Sequence, residues 1–555
     1  MGTFLNPGKF AFEEAVRSEI YVDKTDMILH LNAVVGTKQK YVSVSRPRRF
    51  GKSMAADMIC AYYDRTADSQ AVFENYRIAD RECGAAVGAS APWDAYLGKF
   101  DVVRIVMTRF FKKRLTVQEG LGRLQDLVIR EFRKTYPTVD YYNEHDLLQT
   151  VEDVYTTVDR RVVFVIDEWD AVFRIRPDDR DGQNEYLDFL RDLLKDNDRI
   201  ALAYMTGILP IKKYGEHSAL NMFTEYSMMA PRQFAPYTGF TEGEVRMLCS
   251  RYDMKYEDIE KWYDGYRVSD RIPSEKRAAY RAGMYRGHRM ALYSPLSVVE
   301  SMTTGRIRNY WNKTESYEAL AEYIRMDYGG LQSAVALLMD GGRIRIDTSS
   351  YQNDMTSFHG RDDVFSLLIH LGYLGYDDDS EEVFIPNREI LDEFRTSTKS
   401  EEWDSTFRSF AVSQELLRAT WNMEEEKVAE LLEKAHDQAA SMTYNSEAAL
   451  SYAIQLAYYA AQKYYTTILE LDTGKGFADV VYLPSPAYPD KPALLIELKY
   501  EKTAETALSQ ITCQRYPDRL QHYKGNILLV AVNYDREIRS GNADFKHHTC
   551  IIRRA

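Results

Sequence analysis

Residues 470–516 read ELDTGKGFADVVYLPSPAYPDKPALLIELKYEKTAETALSQITCQRY, and this stretch decides the fold of the C-terminal part of the chain. It predicts a strand that carries Asp479, a strand that ends in Glu497 and Lys499, and a helix that begins near Thr503. Residues n and n+2 of a strand point to the same face, so Glu497 and Lys499 point together, and a neighbouring strand can bring Asp479 beside them. Two carboxylates and an ammonium at strand ends make a hard-oxygen site for Mg²⁺ and a nucleophilic water. The stretch therefore predicts phosphodiester hydrolysis.

The flanking sequence predicts further elements in a definite order. Helical apolar spacing in residues 450–465 predicts a helix, and strands follow at 465–471, 477–483 and 493–499. A helix near 503–523 and a strand at 526–532 complete the order helix, three strands, helix, strand.

In this order of elements and in its E-x-K motif, the segment resembles the PD-(D/E)XK nuclease superfamily. The resemblance implies that Asp479 is the motif aspartate and that Glu497 and Lys499 are the (D/E)XK pair, with Asp479 and Glu497 as metal ligands. It also implies that Glu447 is a further acidic helper and that Gln510 and Tyr516 border the site. Tyr516 lies six residues after Gln510, whereas RecB-like members space the two by four.

A structural explanation competes with the catalytic one. Charges often cap buried strands at the solvent boundary, and an acid such as Glu447 in a first helical turn is favoured by the helix dipole. The catalytic interpretation is favoured by the combination of Asp479 on the preceding strand, the GKG turn at 474–476 and the element order.

A second site is predicted near the N-terminus. The strand YVSVS (41–45) leads into RPRRFGKS (46–53) and then into a helix. Gly51, Lys52 and Ser53 are typical of a phosphate-binding loop, with backbone N–H groups at a helix start, a lysine for the β- and γ-phosphates and a hydroxyl for Mg²⁺. The usual pattern begins with glycine, where this chain has Arg46.

A second motif supports the nucleotide site. VVFVIDEWD (162–170) is an apolar strand that ends in Asp167 and Glu168. In P-loop ATPases the first acid holds Mg²⁺ and the second polarises the attacking water. The strand RIALAYMTG (199–207) places Thr206 at a strand end beside the γ-phosphate, and strands alternating with helices favour a parallel α/β sheet with its ligand at the carboxyl ends. An ordinary α/β domain with acids at a strand end is the alternative.

Taken together, the N-terminal and central motifs resemble the predicted AAA-ATPase-like proteins, many of which carry a C-terminal PD-(D/E)XK domain. In that family the loop form RPRRFGK[ST] is usual, so the resemblance makes Arg48 and Arg49 candidates for phosphate contact, although exposed loop arginines explain them nearly as well. It also allows a ring or a dimer of the chain. The motifs that carry the resemblance, in chain order, are YVDKTDMI (21–28), RPRRFGKS (46–53), VIDEWD (165–170), TGILPI (206–211), WYDGY (262–266), YSPLSV (293–298) and IHLGYLGY (369–376).

Composition limits the partners and the compartment. The chain has 555 residues and a net charge of −13, so any affinity for nucleic acid should be local or depend on metal rather than on a basic surface. It has no apolar run of about 18 residues, which a membrane span needs, and no signal-peptide pattern. Its five cysteines are scattered. We therefore expect a cytoplasmic protein without membrane contact.

The sequence predicts an α/β protein with five regions. They are a P-loop ATPase core with a parallel sheet (1–235), a helical lid (236–330), a region compatible with a winged-helix element (331–398), a helical connector (399–440) and a restriction-endonuclease-like PD-(D/E)XK domain (441–555).

Two functions are compatible with these motifs. The first is an ATP-regulated nuclease that uses ATP and Mg²⁺, or Mn²⁺ in its place, to cut DNA or RNA, with bacterial defence against phage or other foreign nucleic acid as its role. The alternative is a nucleotide-switched signalling or scaffold ATPase whose nuclease-like domain only binds nucleic acid or a partner. The intact Asp479, Glu497 and Lys499 set favours the nuclease.

Overall fold

The computed structural model describes residues 2–87, 91–211, 220–269, 289–311, 317–326, 328–353, 355–438, 447–472, 477–513, 526–535 and 547–555. The chain forms two compact units, Met1–Tyr317 with Arg345–Glu393, and Glu318–Ile344 with Phe394–Ala555. Residues 318–344 thus group with the C-terminal part of the chain, whereas the sequence pattern places them in a lid and a winged-helix region. No helix among the described residues combines the length and hydrophobicity that a membrane span requires.

The first unit contains a parallel sheet with the strands β1 (Tyr41–Ser45), β2 (Asp101–Val106), β3 (Val162–Asp167), β4 (Ile200–Gly207) and β5 (Thr224–Tyr226). The strand order is β2-β3-β4-β1-β5, and every neighbouring pair is parallel. β1, β3 and β4 are buried along their whole length, as expected of strands in a parallel sheet. Because these three strands are neighbours, the loop after β1 and the ends of β3 and β4 lie at one edge.

Two helices precede β1, namely α1 (Phe10–Val16) and α2 (Met27–Asn32). The helices that connect β1 to β4 are α3 (Lys52–Tyr63), α4 (Gln70–Phe73), α5 (Arg81–Val87), α6 (Val117–Thr135), α7 (Leu147–Val158), α8 (Ala171–Ile175) and α9 (Arg180–Leu194). Local sequence sets where the longer ones begin. At the start of α6, Thr116 and Glu119 form a capping box, and the Asp179 side chain accepts a hydrogen bond from the Gly182 N–H at the start of α9. The predicted α/β architecture is confirmed.

The chain continues through β6 (Phe240–Thr241), α10 (Glu242–Arg251), α11 (Tyr256–Tyr263), β7 (Tyr266–Ser269), β8 (Arg289–Tyr293), α12 (Pro295–Thr304), α13 (Tyr317–Ile324), α14 (Leu331–Met339), β9 (Ile344–Arg345), α15 (Arg361–Leu371), β10 (Gly375–Asp377), β11 (Glu382–Phe384) and α16 (Arg388–Ser397). β8 pairs with β6 and β7 in antiparallel register. The order α15, β10, β11, α16 is helix, strand, strand, helix, and it lies within the region that the sequence describes as compatible with a winged-helix element (331–398).

The second unit contains α17 (Glu401–Trp421), α18 (Glu425–Gln438), α19 (Glu447–Ala457), β12 (Tyr465–Asp472), β13 (Phe477–Pro484), β14 (Ala493–Tyr500), α20 (Ala504–Cys513), β15 (Ile527–Tyr534) and β16 (His548–Arg554). The strands form one mixed sheet in the order β12-β13-β14-β15-β16, in which β14 and β15 are parallel and the other neighbours are antiparallel. From α19 onward, the order helix, three strands, helix, strand is the predicted one.

The two faces of this mixed sheet carry different layers. Ile496 and Leu498 of β14 pack on one face with apolar residues of α17, α18 and α19. Leu495, on the opposite face, packs with Ala507 of α20. Because side chains alternate along a strand, Glu497 and Lys499 lie on the α20 face. α17 and α18, which the sequence predicts as a helical connector, therefore contribute to the core of this unit.

The helix predicted for residues 450–465 is shorter than expected. α19 ends at Ala457, a 3₁₀ turn follows at Tyr459–Lys463, and β12 begins at Tyr465 opposite Pro484. Tyr458 is buried, and its hydroxyl is 2.7 Å from that of Thr420. Tyr458 thus contacts α17 at the point where α19 ends, and helical spacing alone does not reveal this contact.

Candidate functional site

Asp479 on β13 lies beside Glu497 on β14. Val480 pairs with Ile496 in antiparallel register, which puts Asp479 next to Glu497 at the end of the paired region. The Asp479 Oδ2 atom accepts a hydrogen bond of 2.7 Å from the Leu498 N–H. The aspartate carboxylate is therefore fixed against the backbone of the E-x-K segment.

Glu497 and Lys499 form a buried ion pair. Their residues are 1% and 6% exposed, so neither is a charge that caps a strand at the solvent boundary. Lys499 Nζ lies 3.1 Å from Glu497 Oε1 and also donates to the Leu498 carbonyl at 3.0 Å. Desolvating two charges costs several kcal/mol per ion, an amount that their attraction and hydrogen bonds must offset. The structure brings Asp479, Glu497 and Lys499 together.

Asp479 and Glu497 fit a divalent cation by their chemistry. Mg²⁺ prefers oxygen ligands and commonly takes one or two carboxylates, with water and substrate phosphate completing its shell. Among the described residues, no group of three or more His, Cys, Asp or Glu side chains is placed to hold a metal ion. A cation bound here would depend on the substrate for its remaining ligands.

Asn533 borders this site and is missed by sequence reasoning. It lies opposite Lys499 in the parallel pairing of β14 with β15 and is 4% exposed. Its Oδ1 atom accepts a hydrogen bond of 3.0 Å from the Lys502 N–H. The Glu501 N–H donates to the Tyr534 carbonyl at 2.8 Å. The end of β15 therefore fixes the turn that follows Lys499.

Of the three other residues implied for this site, Gln510 is the one whose side chain the structure describes. Gln510 lies on α20 and is exposed. Glu447 is the first residue of α19, but its side chain lies outside the described part of the structure. Tyr516 also lies outside the described residues.

In the first unit, Arg46 anchors the loop that follows β1. It is fully buried, and its Nη1 atom donates to the carbonyls of Ser45 at 2.8 Å and Tyr226 at 2.9 Å. Burial lowers the pKa of the guanidinium to about 10, which leaves it charged at pH 7. The residue that replaces the first glycine of the usual loop thus ties the loop start to β5.

Lys52 is the first residue of α3. Gly51 before it has φ +84°, a left-handed conformation that glycine adopts without strain. The Lys52 side chain is buried, and Nζ donates to the Pro47 carbonyl at 2.7 Å. Burial lowers the pKa of the ammonium to about 8, against the opposing effect of Asp170 and Asp167. A buried ammonium bonded to a neutral carbonyl is ready to receive an anion.

The other predicted loop residues are exposed. Arg48 and Arg49 both face solvent, and Arg49 has φ +66°. Ser53 is also exposed, and its side chain opposes the rise that burial causes in the pKa of Asp167. The structure therefore brings Ser53 near Asp167, the other predicted Mg²⁺ ligand, and leaves the side chains of both arginines exposed.

Asp167 at the end of β3 is held by an arginine. Arg104 Nη2 lies 3.5 Å from Asp167 Oδ2 and 2.8 Å from Asp57 Oδ1. Burial raises the pKa of Asp167, and Arg104 opposes the rise. The Asp167 Oδ1 atom is buried and has no hydrogen-bond partner in the described structure. An unused carboxylate oxygen beside a serine hydroxyl fits a Mg²⁺ ligand set that is completed by water and phosphate.

Glu168 and Thr206 complete the edge of the sheet. Asp167 pairs with Thr206 across β3 and β4, and Thr206 Oγ1 is buried without a hydrogen-bond partner in the described residues. Glu168 has φ +55°, a conformation that costs a non-glycine residue about 1–3 kcal/mol. Such strain is typical of functional positions. The predicted acids and the threonine therefore lie at one edge together with Lys52.

A cleft beside the loop has an open volume of about 640 Å³ and is missed by sequence reasoning. At its margin, Lys24 lies 2.6 Å from Glu244 of α10. Most of the wall is apolar, which suits the flat face of a nucleoside base. The wall includes Tyr21, Val22, Phe50, Met54, Phe240 and Val299. Tyr21, Val22 and Lys24 belong to the motif YVDKTDMI. This motif contributes to the family resemblance, but the sequence alone assigns it no role.

Two further motifs support the phosphate-binding loop. Gly372 of IHLGYLGY has φ +90°, and a Cβ atom there would lie 2.8 Å from Cβ of Pro47. Tyr266 of WYDGY packs edge-on against Phe50 with ring centroids 5.5 Å apart. Its hydroxyl donates to the Gly372 carbonyl. The loop is therefore packed against residues that follow it by more than 200 positions.

Comparisons with known proteins agree with this description. Residues 10–215 match the family model described as "Predicted AAA-ATPase", and residues 450–542 match the PD-(D/E)XK nuclease superfamily. The chain thus joins two domain families. Residues 10–215 are therefore a predicted AAA-ATPase domain and residues 450–542 a PD-(D/E)XK nuclease-superfamily domain, which confirms the resemblance found in the motifs.

Individual relatives are distant. An uncharacterized protein in the vnfD 5′ region of Azotobacter chroococcum mcd 1 is 24% identical over 301 residues, which are 53% of this chain. The chain spans about half the length of that curated relative. Cdc6p from Pyrobaculum aerophilum is 12% identical with a TM-score of 0.26 and covers 72% of this chain and 98% of its own. The ADP form of ORC2 from Aeropyrum pernix is 10% identical with a TM-score of 0.26 and covers 73% and 98%. Scores this low carry no structural argument.

Proposed function

We propose that this protein is an ATP-regulated, Mg²⁺-dependent nuclease that hydrolyses phosphodiester bonds of DNA or RNA. The observation that carries the proposal is the buried pair of Glu497 and Lys499 beside the fixed carboxylate of Asp479. A domain that only binds nucleic acid has no need to bury these charges at the cost of their desolvation.

In this proposal the side chains of the second unit have separate tasks. Asp479 and Glu497 hold a divalent cation, which supplies Lewis-acid polarisation of the scissile phosphate when it is bound. Lys499 orients the attacking water and offsets the negative charge that develops on the phosphate. Its bonds to Glu497 Oε1 and to the Leu498 carbonyl leave the ammonium little freedom to turn, which suits a positioning task.

The first unit binds and hydrolyses ATP in this proposal. Lys52 contacts the β- and γ-phosphates, Ser53 and Asp167 hold Mg²⁺, and Glu168 activates water. Thr206, at the end of the neighbouring strand, faces the γ-phosphate, and the apolar cleft beside the loop takes the base. Arg48 and Arg49 are exposed, so contact with phosphate would need them to move onto the nucleotide.

A cleavage assay with a matched control tests the nuclease. Lys499→Ala should abolish Mg²⁺- or Mn²⁺-dependent cleavage of plasmid, single-stranded DNA and RNA, and should leave ATP turnover intact, because the two sites use different residues. Lys502→Ala removes an exposed lysine three positions later and should cut normally. Cleavage by Lys499→Ala at the rate of the Lys502→Ala control would refute the assignment.

The same experiment separates the alternative function. If ATP changes the oligomeric state of the protein and no nucleic acid is cut with Mg²⁺ or Mn²⁺, the chain is a nucleotide-switched scaffold. The proposed role in bacterial defence predicts that expression of the chain lowers phage plaque counts and that Lys499→Ala restores them.

A further inference from the structure

Arg174 is a charged residue next to the nucleotide-site acids. It lies on α8, directly after β3, and its side chain is 11% exposed. Nε donates to Asp170 Oδ2 at 3.1 Å. The same oxygen of the fully buried Asp170 accepts the N–H groups of Ile208 and Leu209 at 3.1 and 3.0 Å. The guanidinium is therefore fixed against the backbone that follows Thr206.

The other end of the guanidinium faces Glu168. Nη2 of Arg174 lies 3.9 Å from Oε2 of Glu168. This nitrogen is buried and has no hydrogen-bond partner within the described part of the chain. A buried donor without an acceptor is unfavourable, so a small movement of Glu168 towards it would be favoured. The charge of Arg174 also lowers the pKa of Lys52.

We propose that Arg174 is a positioning residue that holds the carboxylate of Glu168 for activation of the attacking water. The inference rests on the proposed ATP hydrolysis. An approach of about 1 Å converts the ion pair into a charge-assisted hydrogen bond of about 2.9 Å. Asp170 anchors Arg174 one helical turn away, so the glutamate is held by a rigid donor rather than by solvent.

Steady-state ATP hydrolysis by the full chain tests this role. Arg174→Ala should lower kcat about tenfold or more and leave KM within about threefold, because Glu168 acts in the chemical step and not in binding. In the Glu168→Gln background, Arg174→Ala should reduce kcat by less than about twofold, since no base remains to be positioned. Arg174→Lys should recover little, because the compact ammonium of lysine cannot span from Asp170 to Glu168 as the wider, planar guanidinium does.

Arg180→Ala is the matched control, because it removes an exposed arginine six residues later on the same segment. It should leave kcat, KM and thermal unfolding unchanged. Two outcomes would overturn the inference: a fall in kcat on Arg174→Ala that is as large in the Glu168→Gln background as in the wild type, or a rise in KM without a fall in kcat. Either would mean that Arg174 contacts phosphate directly or has a purely structural role. If the wild-type chain hydrolyses no ATP, or if Glu168→Gln hydrolyses it normally, the proposed ATPase itself fails before any Arg174 variant is compared.

Discussion

The two candidate sites each contain a buried lysine, and the two lysines are held in opposite ways. Lys52 of the nucleotide site donates to a neutral carbonyl, that of Pro47, and burial lowers the pKa of its ammonium to about 8. Lys499 of the nuclease-like site lies 3.1 Å from the carboxylate of Glu497. The charge of Lys499 is therefore balanced within the fold, whereas the direct hydrogen-bond partner of Lys52 among the described residues is a carbonyl dipole.

In the nucleotide site the ligand supplies the counter-charge of the lysine, whereas in the nuclease-like site the counter-charge is present before a ligand binds. An ammonium whose direct contact is neutral gains most when a phosphate arrives, so nucleotide binding should change the first unit strongly. A paired ammonium gains less from an incoming phosphate, so the nuclease-like site keeps its geometry without substrate. In the proposed function, ATP would then act as a regulator while Asp479, Glu497 and Lys499 stay assembled.

Removing the charge of each lysine should have the largest effect. Lys499→Met leaves Glu497 buried without its ammonium, which should lower the local free energy of unfolding by about 3–5 kcal/mol. Lys52→Met breaks a single bond to a neutral carbonyl and relieves a buried charge, so its cost should stay within about 1 kcal/mol. Hydrogen exchange in urea, measured on peptides of β14 and α3 in one chain, gives both values.

Lys502→Met is the matched control for β14, because it replaces an exposed lysine of the same turn. This substitution should leave the hydrogen exchange of the β14 and α3 peptides unchanged. Two results would contradict the comparison: Lys499→Met lowers the local free energy of unfolding no more than this control, or Lys52→Met lowers it more than Lys499→Met. In either case the two lysines would not differ in how their charges are balanced.

Most of the fold can be predicted from the sequence because each buried strand appears there as a run of apolar residues. β1 has the predicted bounds, and β3 and β4 begin and end within a few residues of theirs. The trio of Asp479, Glu497 and Lys499 follows from the two-residue period of a strand and the adjacency of β13 and β14. In both cases the information lies within a short stretch of chain.

What the sequence does not reveal depends on contacts between distant stretches. Asn533 borders Lys499 only because β15 pairs with β14 in one particular register. The apolar cleft combines Tyr21 with Val299, which are almost 280 residues apart. Arg174 looks like an ordinary helical arginine until Asp170 is seen to fix it towards Glu168. The register in which two strands pair and the packing of residues far apart in the chain cannot be predicted from the local periodicity of apolar residues.

The pH dependence of ATP affinity should sharpen the comparison at the nucleotide site. The pKa of Lys52 in the free protein is about 8, below its usual value of 10.5. Below pH 8 the ammonium is already charged, and above pH 8 bound phosphate must draw a proton back to it. Affinity should therefore fall by up to about tenfold per pH unit between pH 8 and 9.5. Calorimetry in two buffers of different ionisation enthalpy would detect the proton uptake.

Lys52→Arg provides the control for this effect, because a guanidinium stays charged over the whole range. Its ATP affinity should be lower but flat between pH 8 and 9.5. A flat profile for the wild-type chain would mean that Lys52 is as well balanced as Lys499 before the nucleotide binds.

Asn533→Ala should have the smallest effect and tests whether the nuclease-like site is preassembled. The substitution removes the hydrogen bond to the Lys502 N–H, which should cost about 1 kcal/mol in the local stability of the turn after Lys499. Because a misplaced group slows catalysis more than it destabilises the fold, cleavage should fall about tenfold or more while ATP hydrolysis is unchanged. Asn526→Ala, which removes an exposed asparagine just before β15, should preserve both rates. Equal cleavage by the two variants would mean that Glu497 and the Leu498 carbonyl hold Lys499 in place and that the end of β15 has no part in the site.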